Sequence, residues 1–394
     1  MVLQYRWLWV VVCGIFLLIL PAAVAAAPNK SMIAAGHDHA LAIRQDGSLW
    51  VWGKNDLGQL GLGTYDDIAH PKPTRIGTGT NWVAVAAGAN HSLALKADGS
   101  LWAWGYNYYG QVGQQTPGAL QITPIQVGGT GWAAVAAGGD YSLGLKTDGY
   151  LWAWGNNHYG QLGLTADDLA HPTPTPVGTG YFAIAAAFDH NLGLNTDGYL
   201  YACGFNNYGQ LGLGTANDGY HSTRTPVGTG YVTVAAGGNT SLTLKADNSL
   251  WTWGINNYGQ LGLGDTYTDF TNPNPQAVIG TNWVAAAGGG DAFSLGLKAD
   301  GSLWAWGNNE YCQLGQGIAD SNAHRTPIRV GTAANWVAIA AGFAHSLGLK
   351  ADGSLWAWGN NSNGQLGLGD TTNRFSPTKV WPRANPGPDL LILD

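Results

Sequence analysis

The sequence has 394 residues, of which 45% are hydrophobic and only 10% are charged, with 60 glycines and 19 tryptophans. A chain of this length buries about 75% of its unfolded surface, so its core needs no metal or disulfide. The net charge of −7 argues against nucleic acid as a partner, because binding nucleic acid requires a basic surface.

Residues 1–27 are predicted to be an export signal. Arg6 precedes an apolar run at residues 8–20, and small residues follow, as in a secretory signal peptide. Ala23 and Ala25 fit the rule for small residues before the cleavage site, so we expect cleavage near residue 25 and a secreted, periplasmic or cell-surface protein. The alternative is an uncleaved N-terminal anchor, since residues 8–27 are just long enough to span a bilayer. No second membrane span is expected.

A repeat of about 50 residues occupies residues 28–381. The phrase LWAWG or a variant of it occurs seven times, and its final glycines are 49 to 53 residues apart. The second copy also contains VAVAAG (83–88), HSLALK (91–96) and GQVG (110–113), and similar phrases surround the other copies. Such periodicity is typical of propellers. We predict an all-β, seven-bladed β-propeller of four-stranded antiparallel blades.

Each repeat is interpreted as four short strands with the phrases PTxV, VAAG, HSLAL and LWAWG. Pairs such as Asp98-Gly99 supply the positive φ of a tight hairpin. The long segment between Gly53 and Pro73 is predicted to cross between blades, which makes PTxV the innermost strand. The strand near Ile33 and the segment 377–380 would then share one blade, so that the N- and C-terminal segments close the ring.

The phrases AAGxxHSLAL, DGSLWAWG and NxxGQLGLG, as at residues 86–113 and 340–369, resemble the regulator of chromosome condensation repeat. The resemblance covers residues 32–380 and implies a seven-bladed propeller. It does not imply one function, because the family includes nucleotide exchange factors for small GTPases, a secreted β-lactamase inhibitor and protein-interaction modules.

The cysteines and the C-terminal tail leave alternatives open. Cys203 and Cys312 stand where other repeats carry Trp or Gly, and they can pair only if the fold brings them close. Residues 382–394 begin as a Pro/Gly linker and end as a short apolar tail, which is either a packed strand or a loose end.

Four histidines share one repeat position, namely His39, His91, His190 and His345. Other repeats carry Tyr141, Thr240 and Phe293 there, so a structural role is favoured over a metal site or catalysis. The GQLGLG stretches are interpreted as turns, because no helical pattern follows them. We expect no enzyme activity, no catalytic residues, no metal and no cofactor.

The variable loops are the predicted binding surface. They carry acidic and aromatic residues, which are expected to form a rim on the face that also holds the turns before HSLAL. Ordinary solvated loops are the alternative interpretation. The candidate rim residues are Tyr65, Asp66, Asp67, His70, Asp167, Asp168, His171, Asp218, Tyr220, His221, Tyr267, Asp269, Phe270, His324 and Arg325.

The sequence therefore predicts an exported, monomeric, non-enzymatic scaffold that binds a protein or a cell-surface polymer through this rim. The alternative, suggested by the family, is a guanine nucleotide exchange factor-like regulator of a small GTPase. A loop-borne lyase or glycosidase would need convergent carboxylates, which the sequence does not identify.

Overall fold

The structure is a computed structural model and describes residues 32–114, 116–216, 219–265 and 269–381. In these ranges the regular elements are all β-strands, and they form seven antiparallel sheets of four strands each. The innermost strands of successive sheets pack against one another around a common axis. The predicted seven-bladed, all-β propeller is confirmed. The predicted signal or anchor at residues 1–27 and the tail at 382–394 lie outside the described residues.

Each blade is built from four consecutive strands. Blade 1 contains β1 (Ile33–Ala35), β2 (His39–Ile43), β3 (Leu49–Asn55) and β4 (Asp66–Arg75). Blade 2 contains β5 (Trp82–Ala87), β6 (His91–Lys96), β7 (Leu101–Gly105) and β8 (Gln121–Val127). Blade 3 contains β9 (Trp132–Ala137), β10 (Tyr141–Lys146), β11 (Leu151–Gly155) and β12 (His171–Gly178). Blade 4 contains β13 (Tyr181–Ala186), β14 (His190–Asn195), β15 (Tyr199–Phe205) and β16 (Tyr220–Thr229).

The remaining three blades repeat the arrangement. Blade 5 contains β17 (Tyr231–Gly237), β18 (Thr240–Lys245), β19 (Leu250–Ile255) and β20 (Thr271–Ala277). Blade 6 contains β21 (Trp283–Gly288), β22 (Phe293–Lys298), β23 (Leu303–Asn309) and β24 (Asp320–Arg329). Blade 7 contains β25 (Trp336–Ala341), β26 (His345–Lys350), β27 (Leu355–Gly359) and β28 (Arg374–Trp381).

The predicted strand order within a blade is wrong. The VAAG strands lie innermost and line an axial cavity of about 80 Å³, where alanine and glycine fit the narrow centre. The PTxV strand lies outermost and pairs with the LWAWG strand, as in Val51 opposite Thr74. The predicted shared blade is therefore also wrong, because β28 pairs with β27 and β1 pairs with β2.

The strand order was predicted wrongly because a short connection is long enough to pass from one blade to the next. Residues 76–81, between β4 and β5, must cross three strand spacings, or about 14 Å, and a connection of that length can reach about 20 Å. The long segment after β3 reaches over the next blade, where the Gly63 amide donates to the Ile122 carbonyl at 2.9 Å. It then returns as β4.

The recurring Trp and Gln phrases clamp neighbouring blades together. In six blades, the indole of the buried tryptophan in the third strand donates to the main-chain oxygen of a glutamine in the preceding blade at 2.8–2.9 Å. Trp104 to Gln59 is one example, and Trp52 to Gln365 is the pair that closes the ring. Blade 4 has Cys203 at this position; Cys203 and Cys312 are both buried free thiols.

The hairpins between the second and third strands follow the Asp-Gly prediction. Gly99 has φ of 76°, and Asn248, its counterpart in blade 5, has φ of 62°. The Asp98 carboxylate accepts from the Ser100 amide at 2.9 Å and from the Ser100 hydroxyl at 2.6 Å. The same hydroxyl then accepts from Trp102 Nε1 at 3.0 Å. The phrase DGSLW thus fixes the hairpin and its first tryptophan together.

Candidate functional site: the loop face

The loops that follow the third strands share one face with the turns that precede HSLAL, as predicted. The Lys54 amide donates to the Asp38 carbonyl at 2.8 Å, and the Phe205 amide donates to the Asp189 carbonyl in the same way at 2.8 Å. We call this side of the ring the loop face. The Asp-Gly hairpins lie at the other ends of the strands, on the opposite face.

The Asn-x-x-Gly-Gln phrase shapes each loop. In blade 1, Asn55 accepts from the Leu60 amide at 3.1 Å and donates to the Thr64 carbonyl at 3.0 Å. The Gln59 side chain accepts from the Leu57 amide at 2.9 Å, and Gly58 has φ of 74°. This glycine-rich segment is therefore a turn, as predicted, and it holds the intervening side chains toward solvent.

Three of the predicted rim histidines pair within their own segments. His70 contacts Asp66 at 3.0 Å and His171 contacts Asp167 at 2.9 Å. His324 contacts Asp320 at 3.0 Å, an aspartate outside the predicted set. Each aspartate also accepts from the amide two residues later. These pairs brace the outer strand, and the recurring phrases DDIAH, DDLAH and DSNAH were the signal for them.

The other predicted rim residues are scattered. Asp66, Asp67 and His70 lie in β4 rather than in a crossing loop. Tyr65 is 60% exposed, and Tyr220 and Phe270 are each 52% exposed. Asp168 contacts His158, and Asp269 is exposed. His221 and Arg325 are half-buried in the outer strands β16 and β24. Asp218 and Tyr267 lie outside the described residues.

A set of ring-bearing side chains that is largely absent from the predicted rim follows the loop face from blade 2 to blade 5. Tyr108 packs against Tyr109 with ring centroids 4.9 Å apart, and Tyr159 packs against Phe205 at 4.7 Å. Phe270, a predicted rim residue, lies 5.8 Å from Tyr208. We call this set the aromatic arc: Tyr106, Tyr108, Tyr109, His158, Tyr159, Phe205, Tyr208 and Phe270.

Carboxylates lie among the rings of the arc. Burial, followed by the charges of Asp140 and Asp168 among other groups, raises the pKa of Tyr109. Burial, with the neighbouring charge of Asp140, raises the pKa of Asp189 to about 6. Asp140 accepts one hydrogen bond, from Gln111 Nε2 at 3.1 Å. The two carboxylates therefore lie close enough to repel each other, and among the described residues a single uncharged hydrogen bond, to Asp140, stabilises them.

Aromatic rings lie around the axis on the loop face. His37 stacks on Phe343 with centroids 4.0 Å apart, and Phe188 lies 6.2 Å from Phe343. Their neighbours in the turns are Asp38 and Asp189. Burial raises the pKa of Asp38, but a hydrogen bond from His37 at 2.9 Å and the charge of that ring outweigh burial and lower it overall. Asp189 has no comparable partner.

The four repeat-position histidines are structural, as predicted. His39, His91 and His190 are fully buried, and each Nε2 bonds a serine hydroxyl of the next blade at 2.9 Å. Burial is the main cause that lowers their pKa values to about 3. His345 is buried likewise. Its Nδ1 lacks a hydrogen-bond partner, as in the other three histidines, and its Nε2 lacks one too, because Ala40 replaces the serine.

The described residues contain no group of three or more His, Cys, Asp or Glu side chains arranged to hold a metal ion. The described part of the chain also contains no helical segment that could serve as a membrane span.

The seven blades, the glutamine clamps and the glycine-rich loops define a repeat propeller whose blades share one internal design. The chain belongs to the RCC1-like domain family: the profile of that domain matches residues 19–231, which is more than half of the chain. Profiles of the regulator of chromosome condensation (RCC1) repeat match residues 231–260, 284–313 and 336–365, and also 247–297, 300–349 and 352–387.

Known relatives are similar over limited lengths. The Ultraviolet-B receptor UVR8 of Arabidopsis thaliana is 42% identical over 81 residues, which are 21% of this chain and 18% of the receptor. The crystal structure of human WBSCR16 has a TM-score of 0.75 at 24% identity, covering 85% of this chain and 94% of that one. Prp20p of Saccharomyces cerevisiae has a TM-score of 0.74 at 24% identity, covering 88% and 86%. These structural similarities establish the fold.

Proposed function

We propose that this chain is an exported, non-enzymatic scaffold that binds a protein or cell-surface partner through the loop face. The aromatic arc is the observation that carries the proposal. Most constant residues of the repeat are occupied in turns and blade clamps, whereas Tyr106, Tyr108, His158, Phe205 and Phe270 of the arc stand at positions that vary between blades. The other three arc residues share one repeat position, which is Tyr in five blades. Exposed aromatic side chains are enriched in binding sites, and Tyr108 is 57% exposed.

The apolar run and small residues at 1–27 support the exported location, and N-terminal sequencing of the secreted product tests it. We expect the mature chain to begin near residue 26. A product that retains residue 1 and partitions into membranes would instead support the anchor.

Partner capture tests the binding surface. We expect the triple variant Tyr108→Ala/Tyr208→Ala/Phe270→Ala to lose most capture of the partner that the wild-type chain retains from an extracellular or periplasmic extract. The matched control is Tyr150→Ala/Tyr199→Ala/Phe182→Ala, which removes two tyrosines and one phenylalanine of 39–44% exposure from the opposite face. Equal capture by wild type and arc variant would move the binding surface elsewhere.

The second candidate function is guanine nucleotide exchange on a small GTPase. One observation favours it: the solved relative Prp20p is described by its binding to Gsp1p and histones. A nucleotide-release assay with a purified small GTPase separates the two functions. We expect no acceleration by this chain, and robust release would favour the exchange function.

A further inference from the structure

The negative charge of the protein is concentrated in blades 2 to 4. Between Lys96 and Arg224 the sequence contains one basic residue, Lys146, and eight aspartates. This stretch has a net charge of −7, and blades 2 to 4 as a whole, with Lys96 and Arg224 included, have −5 of the chain's net −7. Lys146 does not serve the loop face, because its amine lies over the Trp132 and Trp152 rings, 4.9 and 4.6 Å from their centroids, beside the hairpin of the opposite face.

Four of these aspartates lie on the loop face within the described residues. Asp167 and Asp168 are paired with His171 and His158. Asp140 accepts only an uncharged hydrogen bond, from Gln111, and the Asp189 side chain makes no hydrogen bond or ion pair with the described residues. The loops at 106–121, 156–171 and 205–221 contain no Lys or Arg.

Two acids elsewhere on the loop face pair with cations. Asp56 pairs with Lys54 at 2.7 Å, and Asp370 pairs with Arg374 at 2.6 Å. Asp291 in blade 6 resembles Asp140, since within the described residues it accepts only uncharged hydrogen bonds, from Asn308 at 3.0 Å and Gln313 at 3.4 Å. What distinguishes blades 2 to 4 is that Asp140 and Asp189 lie close enough for the charge of one to act on the other, beside the rings of the aromatic arc. The raised pKa values of Asp140 and Asp189 show that each charge is held at an energetic cost that a cation would relieve.

The rings beside these carboxylates suit the same ligand. Asp140 and Asp168 lie close enough to Tyr109 for their charges to raise its pKa, and Asp140 acts on Tyr106 in the same way. Tyr106 and Tyr108 stack nearly parallel, with centroids 6.2 Å apart. A guanidinium or ammonium group is attracted to the face of a tyrosine ring and to a carboxylate beside it.

We propose that the sector formed by Asp140, Asp189 and the aromatic arc binds an extended polypeptide segment of the partner through its lysine or arginine side chains. This inference rests on the proposed function and names the chemistry of the partner. Charge complementarity favours a cationic segment over an anionic polymer. A neutral polysaccharide would use the rings but leave both carboxylates unpaired.

Titration with defined probes tests the proposal. The probes are short synthetic peptides of alternating arginine and glycine, of lysine and glycine, and of glutamine and glycine, together with a neutral linear oligosaccharide. We expect the two cationic peptides to bind at least about tenfold more tightly than the glutamine peptide, and to bind more weakly as salt rises.

Variants of the purified full chain locate the site. We expect Asp140→Asn/Asp189→Asn to weaken binding of the cationic peptides at least about tenfold, with thermal unfolding at neutral pH unchanged or shifted upward. The matched control Asp148→Asn/Asp197→Asn removes two hairpin carboxylates from the opposite face and should leave the affinity unchanged.

Two results would overturn the proposal. One is equal binding of the glutamine and arginine peptides, and the other is full retention of affinity by Asp140→Asn/Asp189→Asn. Binding of the oligosaccharide that is lost in the triple arc variant but kept in the double asparagine variant would identify a polysaccharide surface. In that case the proposed function stands and the cationic partner does not.

Discussion

The junction between blades 2 and 3 and the junction that closes the ring differ in one hydrogen-bonded unit. At the first, His91 bonds the Ser142 hydroxyl at 2.9 Å, and that hydroxyl donates to the Gln111 carbonyl at 2.8 Å. At the second, His345 faces Ala40, and its Nε2 is unpaired, whereas Nδ1 is unpaired in both histidines.

The tryptophan clamp is present at both junctions, from Trp154 to Gln111 at 2.9 Å and from Trp52 to Gln365 at 2.8 Å. The closing junction also has the His37 and Phe343 ring stack and a hydrogen bond from Gln365 Nε2 to Asp38 at 3.1 Å. The ring is therefore closed by ordinary blade contacts. The histidine-to-serine hydrogen bond is present at three junctions and is absent from the closing junction.

Acid should weaken the four junctions that contain a buried repeat-position histidine, and it gives the largest expected effect. The buried histidines have folded pKa values of about 3 to 4, below the ordinary value near 6.5. Below pH 6.5 the histidines bind protons in the unfolded chain but not in the folded chain. The free energy of unfolding is therefore highest above pH 6.5 and falls steadily toward pH 3. Denaturant titrations between pH 7.5 and 4 measure this slope.

His91→Phe should reduce that slope by about one proton, and Phe293 shows that the site accepts this ring. Asp189 opposes the trend, because its raised pKa adds stability as pH falls through about 6. An unchanged slope in His91→Phe would contradict the histidine assignment.

A valine at Gly301 should break an internal junction. Gly301 has φ of 75°, and a Cβ there would lie 2.5 Å from the Ala334 carbonyl oxygen in the connection to blade 7. We expect Gly301→Val to lower the free energy of unfolding by about 2 kcal/mol or more, since backbone strain of about 1–3 kcal/mol is joined by a clash.

Gly198 occupies the same hairpin position in blade 4, with φ of 82° and no atom within 4 Å of the place that a Cβ would take. Gly198→Val therefore carries the strain without the clash and serves as the control. If both variants lost the same free energy of unfolding, the clash with Ala334 would not contribute to the effect at Gly301.

Ala40→Ser should make the closing junction resemble the three junctions that have a histidine-to-serine hydrogen bond. The new hydroxyl can accept from His345 Nε2 and donate to the Gln365 carbonyl, and a net gain of about 1 kcal/mol is expected from one satisfied buried group. Ala42→Ser is the control two residues along the strand, where the equivalent Thr243 hydroxyl has no partner. A loss of stability in Ala40→Ser would contradict this account.

The number of blades, the strands and the hairpin positions could be predicted because the same sequence phrases recur in every repeat. Asp98-Gly99 and the LWAWG phrases are local signals whose structure depends on nearby residues. Strand order could not be read from the same phrases, because it depends on where residues 56–65 travel before β4 begins. The length of that segment is the same whether it connects two blades or extends over the neighbouring blade and returns.

The candidate site was only partly predictable for a similar reason. Phe270 and Asp168 are predictable because they lie in loops whose sequences vary between repeats. Tyr159 lies within the Asn-x-x-Gly phrase, and Tyr106 and Phe205 lie directly before it, so they stand outside those variable loops. Their alignment across blades arises from packing between neighbours, which no single repeat encodes.

Because every blade is complete within one stretch of chain, each can fold as it leaves the ribosome without waiting for the C-terminus. The contacts between blades 7 and 1, such as that between Trp52 and Gln365, which are 313 residues apart, form only after blade 7 has been synthesised. If blades 1 and 7 separated transiently, the facing surfaces of two complete blades would be exposed. Every strand would remain paired within its own sheet.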